Sequence, residues 1–224
     1  LDLNFENKVI AWALDYPGCF SYGEDEHETL LLFPRAYIAY QNWVNFKAGE
    51  ASWVKEIHDF DIRLEESFQN YQINEAYQVV KSGGKVVMSW FSHDWLPLQE
   101  EEVQRALLSL EWSRTDLLGV IQPLSNAQLQ KNFPEERWNI DGILKHIANT
   151  EWWYLQRLDL AGMPRETLPN DALERLQVVR EQLRTVLPHL TGQELVRGKQ
   201  GELWSARKLI RRASSSLCRV YSGF

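Results

Sequence analysis

Cysteine is scarce in this 224-residue chain, with only Cys19 and Cys218. Two thiols in a chain of this length are no disulfide framework, which excludes the stapled secreted scaffolds and points to a reducing compartment. Long hydrophobic runs are missing too. No stretch approaches the ~20 apolar residues that a membrane helix requires, so no membrane partner is expected. Residues 1–5 carry neither a basic region nor a long apolar run, so no secretory leader is expected and a cytoplasmic location is. There is no Walker motif, no nucleophile elbow and no Cys-x-x-Cys, which removes the commonest phosphate, acyl-transfer and redox signatures. Gly83-Gly84 reads as a hairpin turn rather than a phosphate loop, because no helix start follows it. Histidine is sparse: five in all, and none after His189.

What is present describes a folded protein. Hydrophobic residues are 44% and charged residues 25%, which rules against a disordered chain. Ten tryptophans supply large rings for a core. The net charge of −7 is unevenly spread. Residues 1–96 hold 15 acidic and 7 basic side chains, a net of −8, whereas residues 97–224 hold 16 and 17, a net of +1. An acidic first half repels phosphate backbones, so direct nucleic-acid binding there is not expected. It suits a basic protein partner, or serves solubility alone.

The first half alternates between strand and helix signals. Residues 9–14 read as a strand, Tyr16-Pro17-Gly18 as a turn and residues 19–22 as a second strand. Residues 25–44 read as a helix capped by Asp25, with Glu28 at capping-box spacing, and Pro34 predicts a kink or a division into two helices. Residues 54–71 alternate imperfectly (Ile57, Phe60, Ile62, Leu64) and read as a strand. Residues 85–91 form a stronger one, and residues 92–97 the linker. An α+β domain over residues 1–92 is expected.

From residue 97 the hydrophobic period lengthens. Val103, Leu107, Leu110, Leu117 and Ile121 follow three- and four-residue steps, the mark of a helix with one apolar seam. A second helix is expected after Asn139, with Ile140, Leu144, Ile147, Tyr154 and Leu158 inward. A third runs from about 171 to 187 on Leu173, Leu176, Leu183 and Leu187, and a fourth from about 205 on Ala206, Leu209, Ala213 and Leu217. Four amphipathic helices predict an all-α four-helix bundle over residues 97–224. Two charges interrupt the seams, Arg114 in the first helix and Glu151 in the second. Either they meet as a buried ion pair, the cheaper arrangement for buried charge, or the seam drifts and both reach water. His146 lies beside the second seam, with Asn149, Thr150 and Trp153 on its side of the helix at three-, four- and seven-residue spacing. It is either a metal ligand or a structural residue.

Residues 137–154, Arg137-Trp138-Asn139-Ile140-Asp141 through His146 to Glu151-Trp152-Trp153-Tyr154, resemble the second-helix motif of the DinB superfamily. There a tryptophan and a capping residue open a helix that carries a histidine and, five residues on, an acidic side chain. The resemblance covers roughly residues 97–213. It implies a four-helix bundle holding a divalent metal (Zn or Ni) on three histidines, one on the second helix and a His-x-x-x-His pair on the fourth. It further implies metal-dependent transfer or hydrolysis on a small thiol-linked substrate. His146 matches the second-helix ligand, with Glu151, Trp153, Asn149 and Arg114 around it. The fourth helix departs from the pattern. After Arg211-Arg212-Ala213 it continues Ser214-Ser215-Ser216-Leu217-Cys218, and Ser216 and Val220 stand where the histidine pair would fall. A divergent terminus and a shifted reading frame would both read this way. A metal on one surviving ligand is expected to be weak or absent, and Cys218 is a remote candidate for a thiolate ligand.

Residues 13–25, Ala13-Leu14-Asp15-Tyr16-Pro17-Gly18-Cys19-Phe20-Ser21-Tyr22-Gly23-Glu24-Asp25, resemble the strand–turn–strand of HicB-type domains. That resemblance implies a fold which, in antitoxins, binds a small basic toxin. Two functional expectations follow: a DinB-like enzyme with an incomplete metal site, or a non-enzymatic binding or scaffold protein whose acidic domain takes a basic protein partner. A small-molecule substrate belongs to the first, and a homo-oligomer is compatible with both. His93-Asp94 is expected to face solvent at the linker, and Arg207, Lys208, Arg211 and Arg212 are expected to form a solvated basic face on the last helix.

Overall fold

A computed structural model describes residues 1–55 and 59–218, with the side chains of residues 216–218 left aside. The chain divides into two compact units: residues 1–96 with Gly198–Trp204, and Pro97–Arg197 with the residues from Ser205 onward.

The first unit is built on a four-stranded sheet in the order β3-β2-β1-β4, formed by β1 (Asp2–Phe5), β2 (Lys8–Trp12), β3 (Phe20–Gly23) and β4 (Phe68–Gln69). β2 pairs antiparallel with β3, Val9 opposite Gly23 and Trp12 opposite Phe20, while β4 joins β1 in parallel. The Pro-Gly-Cys corner closes as expected, with the Cys19 N–H donating to Tyr16 O at 2.9 Å and Gly18 at φ 97°. That backbone region costs glycine nothing. Ile10, Trp12 and Phe91 form the small core under this sheet.

Helix α1 (Glu26–Ala48) packs on β2 and β3. Asp25 caps it by accepting the Glu28 N–H at 2.8 Å, and Glu28 reaches back to the Glu24 N–H at 2.6 Å. Pro34 does not divide the element: one helix runs through it. Proline removes one intrahelical bond. The buried row Phe33, Tyr37, Tyr40 and Val44 brackets that gap and anchors both halves to the sheet.

The strand expected over residues 54–71 forms only at its end. Residues 59–67 have no regular secondary structure, and Ile62 and Leu64 are exposed. Alternation makes a strand only when one face is buried, and here neither is; Ile57 lies outside the described residues. A second sheet, in the order β6-β5-β7, comprises β5 (Tyr71–Ile73), β6 (Val79–Val80) and β7 (Lys85–Val87). The strand expected to run to residue 91 therefore stops at Val87. Gly84 has no alternative residue, since a Cβ there would lie 2.5 Å from Ile73 O. The tip of a hairpin, β8 (Val196–Lys199) and β9 (Glu202–Ser205), belongs to this unit, where Glu202 accepts the Met88 N–H at 3.3 Å. Asp94 is not at the surface: its buried carboxylate caps a short turn by accepting the Phe91 N–H at 2.9 Å. His93 faces Asp15 at 3.6 Å.

The second unit is helical: α2 (Glu100–Ile121), the single turn α3 (Asn126–Leu129), α4 (Ile140–Arg157), α5 (Ala172–Val186) and α6 (Ala206–Cys218). α4 packs against α5 and α6, and α2 against α6. The starts follow local chemistry: Ser125 and Gln128 form the expected capping box, Asn139 accepts the Gly142 N–H at 2.8 Å, and Asp171 accepts from Leu173 and Glu174. On α5 the inward stripe is Ala172, Leu176, Val179 and Leu183, continued by Leu187 just past its end, which displaces Leu173 to 43% exposure.

Helix α6 departs furthest from the sequence expectation. Residues 206–215 are all buried, so Arg207, Lys208, Arg211 and Arg212 do not form a solvated face. Arg207 is bound within the unit, both guanidinium nitrogens meeting the Glu102 carboxylate at 2.6 Å and one also meeting Pro97 O at 2.9 Å. No helix among the described residues is long and apolar enough to cross a membrane.

Candidate functional site

α4 carries the candidate residues because its seam drifts slowly round the helix. Leu144, Ile147, Ala148, Glu151, Tyr154 and Leu155 face inward, so the fifth residue after His146 lands in the interior and His146 itself does not. The Glu151 carboxylate is wholly buried. Arg114 of α2 donates to both of its oxygens, at 3.1 and 3.3 Å. Of the two arrangements that the sequence left open, the ion pair is the one formed.

It is also larger than expected. Arg180 of α5, which the seam reading missed, closes on the same carboxylate, Nε to Oε2 at 3.3 Å and a second nitrogen to Oε1. Each arginine then reaches across to the other's helix. Arg114 donates to Leu176 O on α5 at 2.9 Å, and Arg180 donates to Leu110 O on α2. Three helices are tied at one point by one anion, two cations and two backbone carbonyls. The signal for Arg180 was present: it lies four residues after Leu176 and three before Leu183, inside the apolar stripe of α5.

The electrostatics follow from burial. Desolvation by itself would push the Glu151 carboxyl up, but the Arg180 and Arg114 guanidiniums outweigh it and hold the group below its ordinary value. Burial pulls Arg114 down to about 10, with Arg180 adding to the fall and Glu151 opposing it. All these interactions are consumed inside the unit. The oxygens of Glu151 are occupied by guanidiniums, not offered to a ligand.

His146 lies elsewhere. Its ring is exposed and stacks on Trp138, with centroids 4.5 Å apart and planes 27° from parallel, while the Arg137 guanidinium sits 4.4 Å from the same indole. Asn149, three residues on, accepts from Arg175 at 3.0 Å. Trp153 is half-buried and covered by Arg157 at 4.1 Å. Its neighbour Trp152 donates from Nε1 to Met163 O at 2.9 Å. So the five sequence candidates separate into a buried ion cluster (Glu151, Arg114) and three residues outside it, exposed His146 and half-buried Asn149 and Trp153.

The donor set does not fit a tightly held metal. Among the described residues no group of three His, Cys, Asp or Glu side chains could hold one. A catalytic zinc needs three protein ligands and an open position. The Ser216 and Cys218 side chains and Val220, where a second and third donor would fall, lie outside the described residues.

The second unit is thus a helical assembly whose interior is polarised at one point by a buried arginine–glutamate–arginine cluster. Its residues 109–213 match the family model of the DinB superfamily, from the middle of α2 into α6 and over just under half of the chain. No family match supports the HicB-like reading of the first unit. No curated protein and no solved structure matches the chain.

Proposed function

We propose that this chain is a DinB-like protein that keeps the four-helix-bundle framework of that family while its metal site is incomplete. The ancestral chemistry would be metal-dependent transfer or hydrolysis on a small thiol-linked substrate. The observation that carries the proposal is the setting of His146: exposed, stacked on Trp138, and in no ligating group among the described residues. One imidazole contributes one coordination bond, and affinity for zinc or nickel rests on ligand count. The test is metal content per chain, by elemental analysis of untagged protein. Well below one equivalent is expected; one full equivalent of a divalent metal would sink the proposal. In the Ser216→His, Val220→His double variant tight zinc uptake is expected, and continued indifference would move the alignment of the fourth helix.

A second reading, a non-enzymatic binding or scaffold protein with a HicB-like first domain, draws on the same neighbourhood. Two tryptophans farther along α4 are already engaged, Trp153 by Arg157 and Trp152 by Met163 O. The acidic first half would then take a basic protein partner. A basic protein that copurifies with the full chain at low salt and is released at high salt supports this reading.

A further inference from the structure

Residues 59–65, Asp59-Phe60-Asp61-Ile62-Arg63-Leu64-Glu65, carry the pattern of a strand with no strand beside them. Apolar and charged side chains alternate strictly, which is the period of a pleated segment. Phe60 is 37%, Ile62 42% and Leu64 51% exposed. None of these residues makes a backbone hydrogen bond with another described residue. Three residues on, the same chain enters β4, where the Phe68 N–H donates to Leu1 O at 2.8 Å, and β4 lies at the edge of its sheet.

Open N–H and C=O groups leading into an edge strand are a template for another chain. Natural edges guard against such pairing with lysine or proline, and this run has neither. Its charges favour one kind of visitor. Three acids and one base give a net of −2, within a half-chain of net −8. Arg63 already meets Glu65 at 3.0 Å, while no cation among the described residues meets Asp59 or Asp61. A second copy of this chain brings the same negative charge, so repulsion opposes self-pairing, whereas a basic segment is attracted.

We propose that residues 59–65 are a docking strand, which pairs through its backbone with an extended segment of a basic partner protein that alternates lysine or arginine with apolar residues. Side chains directly opposite each other on two paired strands lie about 4.5–5.5 Å apart. The basic side chains thus meet Asp59, Asp61 and Glu65, and the apolar ones meet Phe60, Ile62 and Leu64. The main chain supplies affinity, and the alternating side chains select the partner. Such docking presupposes the basic partner of the second reading above, and gives its place and its conformation.

The probe is a capped heptapeptide, Lys-Val-Lys-Val-Lys-Val-Lys, titrated by calorimetry into the full chain at low salt. Saturable binding with a Kd below about 1 mM is expected. A block isomer, four lysines followed by three valines, has the same charge without the alternation and should bind at least tenfold more weakly. Replacing Ile62→Pro and Arg63→Pro together removes one N–H from each edge of the strand. These residues hold no backbone hydrogen bond in the fold, so the melting temperature should stay. Affinity for the alternating peptide should fall at least tenfold, although the chain has become more negative. Equal binding of the two isomers overturns the docking strand but leaves a charge-driven partner of the acidic half standing. Binding of neither up to about 1 mM overturns both. N-methylation of two adjacent central amides of the peptide should likewise abolish binding. Undiminished binding of that peptide overturns the backbone pairing even if the proline variant fails to fold.

Discussion

At the scale of single residues, Glu151 decides most. It is one anion between two cations, and all three are out of water. Glu151→Gln leaves two buried guanidiniums without a counter-charge, and we expect a loss of about 3–5 kcal/mol in urea unfolding, the usual cost of breaking a buried pair. Replacing all three groups together, Arg114→Met, Glu151→Leu and Arg180→Met, removes the desolvation cost along with the attraction and should be near neutral or stabilising. If the single change costs under ~1 kcal/mol, the cluster is not holding the helices. The cluster also sets an acid limit. Because the folded carboxyl titrates below its ordinary value of 4.5, its contribution is fully present above that value and is lost as pH falls through the lower, folded one. The urea midpoint should therefore drop steeply below about pH 4.5 in the natural chain. In Glu151→Gln that part of the slope should be missing.

At the scale of elements, local chemistry sets where helices begin, and tertiary packing sets which faces they bury. Asp171 accepts two N–H groups at the start of α5. Asp171→Ala should cost about 1 kcal/mol, measured as a lowered melting temperature, with the far-UV spectrum otherwise kept. The capping residues Asp25, Ser125 and Asn139 were all legible, because a cap depends on side chains within three residues of it. The strand sought over residues 54–71 was not, because alternation says nothing about whether a sheet lies beneath. Likewise Pro34 lies within one helix rather than between two, since buried residues stand on both sides of it, Thr29 and Phe33 before and Tyr37, Tyr40 and Val44 after, in a helix that packs on β2 and β3.

At the scale of the whole molecule, metal is the discriminating variable. A ligand that binds only the folded state raises the melting temperature in step with its occupancy. With no group of three His, Cys, Asp or Glu side chains able to hold a metal among the described residues, neither excess zinc nor a chelator should move the melting temperature of the full chain, as scanning calorimetry would show. A rise of several degrees with zinc would place a metal site in the protein and reopen thiol-transfer chemistry. Removing the imidazole alone, as in His146→Ala, should leave stability within ~0.5 kcal/mol of the natural chain, as expected of an exposed side chain.

The sequence by itself determined the four long helices after residue 97 and where the chain enters the second and third of them, and it narrowed Arg114 and Glu151 to two arrangements, a buried pair or two solvated charges. Each rests on periodicity or on neighbours a few residues apart, where 3.6 residues per turn does the geometry. Only the tertiary structure decided that Arg180 completes the cluster, that the basic residues of α6 are interior, and that His146 faces outward while the acid five residues later faces in. Those outcomes depend on which helix lies over which. A lysine or arginine reads as a surface residue until a neighbouring helix covers it, and burial is a property of the packed molecule rather than of any window of the chain.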